Sequence, residues 1–162
     1  LGLNEDISKK IKLHKLYLSD NIKPDSTYSS WNLLGENTHK IHKGILKKIG
    51  GDTKNETLDE FIFRNNIEDV KIIKIDVDGH ELNILKSGKQ FIFKQKPTII
   101  MEFAPYALIE NGNNISDFYS FLNNINYQVY NLNFKKLKRL NIKDGRSIDI
   151  ILSKNKLDLL NE

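Results

Sequence analysis

Two apolar runs in this chain each deliver a carboxylate at their far end. Lys71–Asp76 (KIIKID) closes on Asp76, and Lys96–Phe103 (KPTIIMEF) reaches Glu102, with one amphipathic stretch between them. If both runs are neighbouring strands of an open parallel sheet, the two acids meet at its carboxyl edge, where such sheets bind ligands. Carboxylates placed there can accept a proton, orient a hydroxyl or hold a cation. The residues that follow Asp76 are Val77, Asp78, Gly79, His80 and Glu81. Gly79 suits a backbone turn with positive φ, or close approach of a ligand. An imidazole titrates near physiological pH, so His80 is a candidate base or oriented donor; a histidine after glycine is equally at home at a surface helix start. Asp78 has two readings as well, a functional acid or a cap for the helix that begins near His80. Glu81 falls in that helix's first turn, where negative charge is favourable in any case.

The four residues DVDG fit several chemistries. Haloacid-type phosphatases end a strand in Asp-x-Asp-Gly with the first Asp as nucleophile, but expect Thr where this chain has His80. Metal-dependent glycosyltransferases use Asp-x-Asp to hold a cation and a sugar nucleotide. A calcium loop is excluded, because Lys74 and Leu85 stand where it requires acids.

The elements that must position these residues are legible from periodicity. Ile11–Leu18 reads as a strand, closed by Ser19 and Asp20. Residues 21–55 are polar and irregular, with a short helix expected at His39–Ile49; aromatic side chains there would cover a pocket and select the ligand. Thr57 with Glu60 is a capping-box signal for a helix over Leu58–Phe63. Val70–Ile75 reads as a strand covered on both faces. Glu81–Phe93 reads as a helix that Gly88 weakens, and Pro97–Phe103 as the next strand. Ile115–Ile125 places Phe118, Phe121, Leu122 and Ile125 on one helical face, with Ser116 as a possible cap. Tyr127–Leu132 and Ser147–Leu152 read as strands. The order predicts an α/β fold with an antiparallel pair of strands at its C-terminal end.

Composition sets outer bounds. The 162 residues are enough for one domain with a real core. With 39% apolar and 28% charged residues the chain is an ordinary globular one, and no run is long enough for a membrane helix. There are no cysteines, which removes thiol chemistry and cysteine–zinc sites. The net charge of +4 is spread over scattered lysines, and the densest basic run, Lys135–Arg139, lacks interleaved aromatics; nucleic acid is not expected as a partner. No signal-peptide pattern opens the chain, so no membrane partner and a cytoplasmic location are expected.

Four blocks taken together, Leu18-Ser19-Asp20, Thr57-Leu58-Asp59, IKIDVDGHELNILKSG at Ile73–Gly88 and KPTIIMEF at Lys96–Phe103, resemble the FkbM-type S-adenosylmethionine-dependent methyltransferases. The resemblance implies a partial class I methyltransferase (Rossmann-like) sheet, mostly parallel, with an antiparallel C-terminal strand pair. It implies S-adenosylmethionine as cofactor, contacted by Ser19, Asp20, Asp76 and Asp78, with Asp76, His80 and Glu102 as catalytic candidates. The implied reaction is O-methylation of a small-molecule or glycan acceptor. A metal bridging Asp76 and Glu102 is conceivable, though nothing in the sequence requires one. The family's Gly-rich cofactor loop, and the acid ending its second strand, have no counterpart here. Residues 1–153 are therefore expected to form one N-terminally truncated domain with a variable insertion at 21–55 and a polar tail at 154–162. Such a fragment is expected to be inactive alone and to bind the cofactor weakly. The rival readings are a metal-dependent glycosyltransferase or phosphatase using the DVDG acids, and a degenerate, non-catalytic domain of the same fold.

Overall fold

The computed structural model describes residues 5–20, 28–29, 48–49 and 54–157. In chain order the elements are α1 (Glu5–Ser8), β1 (Leu16–Leu18), β2 (Tyr28–Ser29), β3 (Lys48–Ile49), β4 (Lys54–Glu56), α2 (Leu58–Arg64), β5 (Ile72–Ile75), α3 (Glu81–Ser87), α4 (Lys89–Gln95), β6 (Thr98–Phe103), α5 (Pro105–Glu110), α6 (Ile115–Ile125), β7 (Gln128–Tyr130), β8 (Lys136–Leu137) and β9 (Ile148–Ser153). β5 pairs with β6 in parallel, and β1 pairs with β4 in parallel as a separate ribbon. β9 inserts antiparallel between β6 and β7, giving the order β5-β6-β9-β7-β8. This is an α/β, Rossmann-like arrangement, parallel at the β5–β6 side and antiparallel towards the C-terminal strands.

The strand period of two divides β6 cleanly. Ile99, Met101 and Phe103 are buried, while Thr98, Ile100 and Glu102 are half-buried on the opposite face. In register with the buried set lie Ile150 and Leu152 of β9 and Val129 of β7. Leu82 and Leu85 of α3, Ile92 of α4, and Phe118, Leu122 and Ile125 of α6 join them in one continuous core. Each fully buried side chain of this kind stabilises the fold by roughly 1.5–3 kcal/mol.

The helix starts follow their capping chemistry. Thr57 Oγ1 accepts from the Glu60 N–H, and the Glu60 carboxylate accepts from the Thr57 N–H, so the expected capping box forms at α2. α6 spans the expected Ile115–Ile125, but its cap is Asn114, paired reciprocally with Asp117; Ser116 lies inside the first turn. The expected single helix over Glu81–Phe93 is two helices that meet at Gly88. A Cβ there would lie 2.5 Å from Leu58 Cδ2, so glycine is what lets α2 seat against the junction. The Asp59 carboxylate then accepts from the Gln90 and Phe91 N–H groups at the start of α4.

Two other expectations are corrected, and a third falls almost wholly outside the described residues. Only Leu16–Leu18 of the expected strand Ile11–Leu18 is extended and paired; residues 11–15 are exposed and irregular. β5 is not covered on both faces among the described residues, since Ile72 is 63% exposed at the sheet edge. The expected helix at His39–Ile49 lies outside the described residues except for Lys48 and Ile49, which pair as a short strand with Tyr28 and Ser29.

Candidate active site

The parallel register of β5 and β6 sets Ile75 opposite Met101. The next position on each strand is Asp76 and Glu102, so the two acids emerge level with one another at the carboxyl edge. Alternation puts them on the face away from the core, where Glu102 is half-buried and Asp76 exposed, together with exposed Lys74 two residues back on β5 and exposed Asp149 of β9, which is registered directly with Glu102. Like charges facing one another across a ladder repel. Lys74 Nζ answers that repulsion, lying 3.1 Å from Asp76 Oδ2 and 3.6 Å from Asp149 Oδ1. Burial lowers the lysine pKa, but the hydrogen bond and charge of Asp76, with Asp149 behind it, outweigh burial and raise it. Glu102 Oε1 accepts a short hydrogen bond from the Ser147 hydroxyl, which ties the loop before β9 to the same edge. Lys74 thus pairs with two of the three carboxylates and Ser147 with the third, so among the described residues this face is net negative.

Between β5 and α3 the chain turns through two positive-φ residues, Asp78 (φ 52°) and Gly79 (φ 97°). Gly79 is buried against α5: a Cβ there would lie 2.7 Å from Ala107 Cβ and 2.9 Å from Asn111 Nδ2. Glycine is required for both reasons, conformation and space. Asp78 is exposed, and α3 starts with no side-chain cap hydrogen bond. Of the two readings of Asp78, capping is therefore absent. Its carboxylate is left on the open side of the turn.

What holds the turn is Glu81, only 3% exposed, whose Oε1 accepts from the backbone N–H groups of Val77 (3.3 Å) and Gly79 (3.1 Å). Burial pushes its carboxyl above the usual range; the N–H donors oppose the rise, and the charge of Glu102 adds to it. Sequence reasoning assigned Glu81 only a helix-dipole role, because an acid in a first turn looks the same whether it faces solvent or folds back. Asp149, Lys74 and Tyr106 were missed too. For Lys74 a signal existed, since it shares strand parity with Asp76; for Asp149 it did not, because its register with Glu102 depends on strand pairing.

His80 is half-buried with Nδ1 3.3 Å from the Tyr17 hydroxyl, and the two rings meet edge to face at 5.8 Å. This contact brings β1 against the acid turn. Ser19, buried, and Asp20, exposed, lie two and three residues beyond Tyr17; the Ser19 N–H donates to the Glu56 carbonyl. The structure therefore gathers Asp76, Asp78, His80 and Glu102 at one edge and delivers the chain carrying Ser19 and Asp20 beside it through Tyr17. On the other side, the Tyr106 phenol of α5 is raised above its ordinary pKa by burial and then by the charges of Glu102, Glu110, Asp78 and Glu81.

The exposed acids of this edge are suited to a ligand that is positively charged and carries hydroxyl or ammonium donors. Among the described residues no group of three or more metal-ligating side chains is placed to hold a metal ion, and no helix is long and apolar enough to cross a membrane. No match was found among curated proteins or solved structures. The Methyltransferase FkbM domain family matches residues 4–129, well over half of the chain and inclusive of Asp76, Asp78, Glu81 and Glu102, though not of Asp149. With that match and the Rossmann-like sheet in agreement, the chain belongs to the FkbM methyltransferase family.

Proposed function

We propose that this chain serves an S-adenosylmethionine-dependent O-methylation of a small-molecule or glycan acceptor, centred on the carboxyl edge of β5 and β6. The observation that carries the reading is the level placement of Asp76 and Glu102 on adjoining parallel strands, on a face that stays net negative. The donor set fits the cofactor: a sulfonium and an ammonium are cations, a ribose offers hydroxyl donors, and Asp20, Asp76 and Asp78 are exposed carboxylates. When bound, S-adenosylmethionine supplies an electrophilic methyl group on a positively charged sulfur.

The remaining requirements fall to the protein: alignment of the acceptor oxygen and removal of its proton. Asp76 and Asp78 orient donor groups on the ligand, with Ser19 and Asp20 on the β1 side. Glu102 is the candidate base for the acceptor hydroxyl. Its Oε1 accepts a hydrogen bond from the Ser147 hydroxyl, which holds the carboxylate at the sheet edge. His80, steadied by Tyr17, is the second candidate base. Glu81 touches neither ligand in this reading and acts by holding the turn.

Calorimetric titration of S-adenosylmethionine into the chain and into Asp76→Asn tests the assignment. The expected result is weaker binding by the variant, about tenfold or more, equivalent to one strong hydrogen bond. Equal affinities would remove Asp76 from the cofactor's surroundings. A loss of that affinity on adding a chelator would add a metal to the scheme, and an unchanged affinity would dispose of one.

A further inference from the structure

A second cleft opens at the same sheet edge, beyond the acid turn. β9 runs antiparallel to β6, so the loop that enters β9 arrives at the carboxyl end of β6, where α5 departs. Pro105, Tyr106 and Ile109 of α5 line one side of the cleft; Ile142 and Gly145 of the incoming loop line the other, enclosing about 270 Å³. Pockets for small ligands run from roughly 300 to 1,000 Å³, so this one suits a single ring and not a nucleotide or an extended lipid. We propose that it is the acceptor subsite and that it takes a neutral, hydroxyl-bearing ring.

Three observations carry this assignment. The walls are apolar and include an aromatic face, which favours the C–H or π surface of a ring. Ile109 is 52% exposed there, an apolar side chain that solvent alone does not account for on the wall of a cleft. The electrostatics then choose among rings. The Tyr106 phenol feels the carboxylates of Glu102, Glu110, Asp78 and Glu81 together, while Lys143, Asp144 and Arg146 of the incoming loop are all exposed and leave one net positive charge, which solvent and salt screen. An anionic ring entering this field is repelled, and a neutral one is not. A hydroxyl held beside Tyr106 also has Glu102 nearby to accept its proton, so the acceptor oxygen is an alcohol or phenol rather than a carboxylate. The expectation that residues 21–55 select the acceptor falls mostly outside the described residues, and this cleft would act beside that stretch.

The word acceptor rests on the methyltransferase reading, but the binding does not. Saturation-transfer difference NMR without any methyl donor compares methyl α-glucopyranoside with its glucuronate counterpart, and p-cresol with 4-hydroxybenzoate. Saturation transfer is expected to at least one neutral probe and to be lost for its carboxylate partner. Whichever neutral ring responds distinguishes a sugar from a phenol. Ile109→Glu, at an exposed position, should abolish the signal, and Ile109→Val should retain it. Equal signals for charged and neutral rings, no signal from either neutral ring, or a signal that survives Ile109→Glu would each overturn the proposal. Failure here leaves the cofactor titration standing, and failure of that titration leaves this cleft standing.

Discussion

Glu56 and Glu81 are equally buried, 4% and 3% exposed, and each stands at the entrance to a helix, yet their surroundings are opposite. Glu56 faces cations: Arg64 approaches its two oxygens at 2.6 and 3.3 Å, and Lys54 comes within 3.4 Å. The Arg64 hydrogen bond pulls its carboxyl below the ordinary range against the opposing effect of burial. Glu81 faces the backbone N–H groups of the acid turn, and burial prevails, raising its carboxyl. One glutamate braces β4 against α2 as half of an ion pair. The other fixes the backbone at the candidate active site, where a neighbouring cation would cancel the negative field that suits the ligand. Burial alone does not tell a structural acid from one near chemistry; the identity of the partner does.

The largest effect is expected where the turn itself is broken. Gly79→Val forces a Cβ into Ala107 in a backbone conformation that β-branched residues avoid, and should cost about 3 kcal/mol or more in a urea melt. Stability close to that of the parent chain would show that the turn can relax and that Glu81 holds little. Next, Glu81→Ala strands two backbone donors, at about 2 kcal/mol. Glu81→Gln keeps an accepting oxygen and should lose far less, so equal losses from the two variants would mean that charge matters more than the hydrogen bonds. Arg64→Met comes third. Arg64 is nearly half exposed, so solvent screening holds the expected loss to about 1 kcal/mol.

The smallest effects lie in the pH dependence of those melts, and they have opposite sign. Glu56 binds its proton less readily when folded, so its contribution is present above the ordinary carboxyl value of 4.5 and is lost as pH falls through its lowered pKa. Glu81 binds its proton more readily when folded; its contribution is full below 4.5 and is lost as pH rises through its raised pKa. Arg64→Met should therefore flatten the acid limb of the stability profile, and Glu81→Gln the limb just above it. If both variants flatten the same limb, the two glutamates are not the contrast drawn here.

Those features that depend on a few neighbouring residues were readable in advance. The Thr57–Glu60 box and the four-residue apolar face of α6 follow from local hydrogen bonding and the helical period, and both stand as expected. Asp76 and Glu102 were legible as strand ends because each terminates an apolar run. β4, β8 and α5 were not, since elements of two to six residues carry too little period to register and exist because tertiary neighbours pair with them. The weakness at Gly88 was visible, but its outcome was not: the split into two helices depends on Leu58, thirty positions upstream, occupying the space a side chain would need. The cleft beside α5 was equally hidden, because its two walls come from segments that only the sheet order brings together.

That order also has a consequence for biosynthesis. β9 sits between β6 and β7, so two strands made earlier cannot join until the later one arrives between them. While residues up to Ile142 emerge from a ribosome, β6 can pair with β5 but presents a bare edge on its other side, and the β7–β8 hairpin has nothing to dock against. Such an edge is a template for pairing with other chains. The sheet closes only once Ser153 has been synthesised, which makes the final steps of folding follow translation of that strand.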